Sequence, residues 1–211
     1  MYDVQVDVMA MAAAERGEIA DFLETLAPEQ WDRPSLCAGW RVRDVAAHLI
    51  SYEERSQPEV LGMLARAGLR PSRFNEAALS GYRDMAPADL VAFIRSHLRP
   101  RGTTAARGGG VGLVDAVIHH QDMRRPLGLR RQIPPERLRY ALPFAVTAPP
   151  LGGWRHGRGV RLIATDLDWS RGSGPEARGT GEAVLLTLAG RRGIADELHG
   201  PGASVLRERL G

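Results

Sequence analysis

The stretch LAPEQWDRPSLCAGWRVRDVAAHL, residues 26–49, changes character near its middle. Residues 27–40 hold two prolines and a glycine and read as a structured loop. From Val42 onward Val42, Val45, Ala46 and Leu49 recur at helical spacing, which predicts a second helix from Val42 to about Leu69, interrupted at Pro58. Asp44 lies in its first turn, where a carboxylate faces the positive end of the helix dipole. His48 lies on the same early segment.

Working outward, Val4, Val8, Met11, Ile19, Phe22, Leu23 and Leu26 predict a first helix over 3–26. Residues 70–87 read as less regular, 88–98 as a third helix and 99–110 as a flexible loop. A fourth helix is predicted over 111–125, stopping ahead of Pro126. A connecting helix over 134–146 precedes a Pro/Gly-rich linker at 148–159. Beyond it 160–170 reads as a strand, 173–181 as a turn with a short second strand, and 182–190 and 192–200 as two helices. The expected class is α+β: a four-helix bundle over 1–147 and a small α/β appendage over 148–211. An appendage of that size buries little core alone and is expected to dock on the bundle.

Composition narrows the function. Hydrophobic residues at 44% and charged residues at 25% fit a soluble globular chain. No apolar run approaches the roughly 20 residues that span a bilayer. The early acidic residues do not suit a signal peptide, so a cytoplasmic protein with no membrane partner is expected. Cys37, the single cysteine, agrees with a reducing compartment. The basic residues are all arginine and the net charge is only +3, which fits a GC-rich genome better than a nucleic-acid surface. With 6% aromatic residues and no interleaving of aromatic and basic residues, no nucleic-acid partner is expected. The GGG at 108–110 lacks the strand, helix and lysine of a phosphate loop.

Chemistry is concentrated in DAVIHHQDM, residues 115–123. Asp115 and His119 are four apart and share a helical face, Asp122 lies near that face, and His120 is turned about 100° away. A carboxylate–histidine pair at this spacing can supply two ligands to one metal, with a third coming from a facing helix. The same residue types also arise as buried, hydrogen-bonded core groups. His120 reads as a surface or supporting residue, Asp122 as structural and Cys37 as a small buried filler.

Residues 26–49, with Trp31, Pro34, Cys37, Gly39, Trp40, Val42, Asp44, His48 and Leu49, closely resemble the mycothiol-dependent maleylpyruvate isomerase family. That family belongs to the DinB/YfiT-like metal-binding four-helix bundles. DAVIHHQDMRRPLG (115–128) looks like its second signature, and LDWSRGSGPEARGTGEAVLLTLAGR (167–191) resembles its C-terminal appendage. The resemblance implies a DinB-like bundle with His48, Asp115 and His119 as ligands of a divalent metal. Zinc is the default for such donors, with nickel, iron or manganese as alternatives. The position of Asp115 is commonly glutamate in the founding isomerase type, so here the metal must sit closer to the fourth helix or the ligand must act through water. Arg191 could hold a substrate carboxylate as a fork. The implied function is a metal-dependent enzyme that uses a low-molecular-weight thiol, mycothiol or similar, for isomerisation or thiol transfer on a small electrophile. A metal-dependent hydrolase and a non-enzymatic metal-binding stress-response module stay open at this point. So does the choice between monomer and homodimer.

Overall fold

The structure is a computed structural model that describes residues 7–53, 55, 57–68 and 71–211. Two compact units divide at Arg130 and Arg131.

In the first unit α1 (Val8–Glu24) is capped by Asp7, whose carboxylate accepts the Ala10 N–H at 2.9 Å. Residues 3–6 of the predicted first helix lie outside the described residues. α2 (Val42–Ile50) is capped by the Asp44 carboxylate, which reaches back to the Arg41 N–H at 2.9 Å. α3 (Gln57–Arg66), α4 (Pro71–Leu79), α5 (Pro87–Ser96) and α6 (Gly110–Arg124) follow. α1 packs on α5 and α6, and α2 packs on the same two helices, which closes a four-helix arrangement. Its core includes Ile19, Leu23, Val45, Ile50, Leu90, Ile94 and Met123.

Three sequence expectations in this unit need correction. The predicted second helix does not run from Val42 to Leu69; it stops at Ile50. There the Ser51 hydroxyl returns to the His48 carbonyl at 2.8 Å, and the chain turns before α3. Pro58 stands at the start of α3, where a missing N–H costs nothing. The stretch expected to be irregular contains α4, whose Ala78 and Leu79 are buried; tertiary burial outweighs weak periodicity. The 99–110 loop is tied down rather than loose. Glu53 accepts the Arg101 N–H at 3.0 Å, the Thr104 hydroxyl at 2.7 Å and the Arg16 guanidinium at 2.6 Å. Two glycines here are required: Gly109 has φ +93° at the entry to α6, and a Cβ on Gly112 would lie 2.7 Å from Pro100.

The second unit begins with α7 (Pro135–Thr147), which packs on α9 (Gly181–Leu188). The sequence reading set its division after α7, at 147/148; the compact units divide ahead of it. The expected linker holds a short helix, α8 (Gly153–His156). The stretch expected as one strand over 160–170 is a hairpin: β1 (Arg161–Ala164) turns through 165–168 into β2 (Trp169–Arg171), pairing Ala164 with Trp169. β3 (Glu176–Gly179) pairs parallel to β1, giving the order β2-β1-β3. Leu162, Ala164 and Ala177 face inward beneath α9 while Arg161 and Arg178 face out. Residues 192–200 hold only a 3₁₀ turn at Ile194–Glu197, because His199 pairs with Arg178 beside β3 and extends the chain. α10 (Pro201–Leu210), absent from the sequence reading, closes the unit against β3. The architecture is α+β, with a helical N-terminal unit and a small sheet in the C-terminal one. No helix among the described residues is long and apolar enough to cross a membrane.

Candidate metal centre

α6 carries two of the candidate ligands. Asp115 and His119 stand one turn apart, and Asp115 Oδ1 lies 3.4 Å from His119 Nε2. The cap at Arg41 and Asp44 starts α2 so that His48, near its end, faces α6: His48 Nε2 lies 3.6 Å from the same Oδ1. The two imidazoles meet edge-on, with ring centroids 4.8 Å apart and planes at 76°. One ligand atom from each of the three residues lies within 4.8 Å of the others. Donors placed about 2.1 Å from a common ion are about 3.4 Å apart at tetrahedral angles, so the two shorter separations match a tetrahedral half-shell. The donor set, two imidazoles and one carboxylate, suits a borderline divalent ion with an open position. The shorter carboxylate of Asp115 therefore still reaches both histidines.

The electrostatics belong to a site whose carboxylate attracts positive charge. Burial opposes ionisation of Asp115, yet the neighbouring His119 and His48 hold its carboxyl well below the usual carboxylate range. Burial likewise opposes a charged His119, yet the Asp115 carboxylate lifts it well above the usual imidazole range. Asp115 is 27% exposed against 7% for His48 and 11% for His119, so the opening lies on the carboxylate side.

Asp122 fixes the tautomer of His119. Fully buried, it accepts the Nδ1–H of His119 at 2.8 Å, so that Nε2, once it gives up its proton, turns its lone pair toward Asp115 and His48. Cys37 donates its S–H to the same Asp122 oxygen at 3.2 Å, and its sulfur lies 3.6 Å from His119 Nδ1. Cys37, read from sequence as a buried filler, is half-buried and belongs to the support of His119. Asp122 Oδ, Cys37 Sγ and His119 Nδ1 themselves form a compact group of potential ligands, on the far side of the His119 ring from Asp115.

His120 faces away, toward α1. It accepts the Arg124 Nε–H on its Nε2 at 2.7 Å, so its Nδ1–H donates to Glu15 at 2.7 Å. Both His120 and Glu15 are fully buried, and Glu18 lies close to them. Arg191 follows α9 in the second unit; half-buried, it donates from Nη1 to the Ala189 carbonyl at 2.9 Å. Two residues that the sequence reading left aside from the chemistry, Trp40 and Tyr52, flank the His48 ring at centroid distances of 5.1 and 5.5 Å. The signal for Tyr52 was its i+4 spacing from His48.

Residues 12–108 match the mycothiol maleylpyruvate isomerase N-terminal domain family. That match includes His48 and ends before Asp115 and His119. Among solved structures, a histidine-to-alanine mutant of the mycothiol-dependent maleylpyruvate isomerase shares the fold with a TM-score of 0.60 at 15% identity, covering 93% of this chain and 92% of that one. A second crystal structure of that isomerase matches with a TM-score of 0.57 at 13% identity and the same coverage. No curated protein matches the chain. Residues 12–108 thus resemble the mycothiol maleylpyruvate isomerase N-terminal domain family, and the chain shares its fold with the mycothiol-dependent maleylpyruvate isomerase.

Proposed function

We propose that this chain is a metal-dependent enzyme that uses a low-molecular-weight thiol of the mycothiol type to isomerise, or to transfer the thiol to, a small electrophile. The observation that carries this reading is the convergence of His48, Asp115 and His119, with one ligand atom from each within 4.8 Å. A divalent ion held by these donors, zinc by preference, supplies Lewis acidity and draws a bound thiol toward its thiolate. The residues around them do the rest. Asp122 holds His119 in the tautomer that offers Nε2, with Cys37 bracing the same carboxylate. Trp40 and Tyr52 pack about His48 and keep water from its ring. Asp115 stands at the open edge, where thiol and electrophile can enter. Arg191 is the candidate for the substrate's carboxylate or the polar groups of the thiol.

Cobalt substitution tests the proposal. The protein should take up one cobalt ion per chain with the visible bands of a low-coordinate centre. Adding the thiol should then produce a thiolate-to-cobalt charge-transfer band in the near ultraviolet. Absence of stoichiometric cobalt would overturn the metal reading. Cobalt spectra indifferent to saturating thiol would overturn the thiol reading.

A further inference from the structure

The ring of His48 is bracketed by Trp40 and by Tyr52, whose ring stands edge-on to it at 89°. Both rings are held from outside by three consecutive residues of α4. Phe74 stacks on Tyr52 with centroids 5.4 Å apart, Asn75 Oδ1 accepts the Tyr52 hydroxyl at 2.8 Å, and Glu76 accepts the Trp40 indole N–H at 3.2 Å. Packing alone would need only the stacked rings. The hydroxyl–amide pair adds polar groups to an aromatic wall beside a metal ligand, and a polar group in such a wall has value when a ligand completes its hydrogen bonding.

We propose that Tyr52 and Asn75 form an oxygen-binding subsite of this centre, taking a carboxylate or keto oxygen of the small electrophile. The proposal rests on the reading that His48, Asp115 and His119 hold the metal. The pair has donors to give. With the amide oxygen on Tyr52, both amide N–H groups of Asn75 remain; with the amide turned over, one N–H serves Tyr52 and the phenolic O–H is released. Asp115 sets a condition on this binding: its negative charge repels an anionic ligand until a divalent ion offsets it. An oxyanion should therefore bind the metal-loaded protein and not the metal-free one.

Pyruvate, a small 2-keto acid that carries both kinds of oxygen, is the probe. Wild type, Tyr52→Phe and Asn75→Ala are loaded with cobalt, their metal content and visible spectra are compared, and pyruvate is titrated by calorimetry. Tyr52→Phe keeps the ring, its contact with His48 and its stack on Phe74, so it should fold; circular dichroism checks this. Expected is wild-type cobalt content and thiol affinity in both variants. Pyruvate should bind about tenfold more weakly to Tyr52→Phe, which loses either the phenolic donor itself or the hydroxyl that orients the Asn75 amide, and more weakly to Asn75→Ala as well. A residue that merely holds α4 in place would lower thermal stability and leave the pyruvate affinity unmoved. Undiminished pyruvate affinity in Tyr52→Phe overturns the subsite while the metal centre stands, and so does a loaded wild type that ignores pyruvate. A wild type that takes up no cobalt removes both readings.

Discussion

His119 and His120 are neighbours in sequence and opposites in role. The 100° step between them sends one ring to Asp115 and Asp122 and the other to Glu15 and Arg124. His119→Ala should abolish metal uptake by the folded protein. His120→Ala should leave about one ion per chain and instead lower stability by about 1–3 kcal/mol, since it removes one partner of the buried Glu15 carboxylate. Metal analysis and thermal melts of the two variants separate these outcomes. Equal metal loss in both would show that the helical register of the site has been misassigned. The HH pair was legible only through Asp115, because the i, i+4 spacing singles out the second member of the pair and nothing in HH itself does.

At the scale of the element, α2 depends on Asp44. The carboxylate closes the Arg41 N–H and also binds the Arg41 guanidinium at 3.1 Å. Burial would raise its pKa, but the bonds from Arg41 outweigh burial and hold it below the usual carboxylate value. The sign follows: the stability contributed by Asp44 is fully present above pH of about 4–5 and is lost as pH falls through the lowered folded-state pKa. Asp44→Ala should cost about 1 kcal/mol at neutral pH, with the difference from wild type shrinking toward acid. Denaturant unfolding at neutral pH and at pH of about 3 reads both; a difference that grows toward acid would contradict the cap. The same element shows where helical periodicity misleads. The apolar pattern continues past Ile50, yet Ser51 folds back on His48 and Glu53 is drawn to Arg16 and Thr104, so the chain turns. Those partners are distant in sequence and leave no local signal.

At the scale of the molecule, the fold match covers both units, whereas the family match ends at residue 108. The second unit's part in the chemistry is therefore open to a direct test. Arg191→Ala should leave metal content intact and weaken binding of the thiol or of an anionic substrate by about ten- to a hundredfold, the loss of one charged hydrogen-bond partner. Calorimetric titration of the metal-loaded variant reads it. Unchanged affinity for both thiol and anion would take Arg191 out of the reaction and leave the three ligands untouched.

The sequence by itself determined the class of the fold and which helix carries which donors. Apolar spacing marked the first two bundle helices, and the i, i+4 relation put Asp115 and His119 on one face. A resemblance carried on Trp31 to Leu49 then added His48. Tertiary structure decided the rest. Only packing sets the rotation of α2 against α6 that brings His48 Nε2 to 3.6 Å from Asp115. Only packing places Cys37 of a loop against Asp122, makes a helix of 71–79 and brings Asn75 to Tyr52. The physical reason is the same each time: local periodicity fixes which residues share a face, while the partner of that face is chosen by burial among segments far apart in the chain.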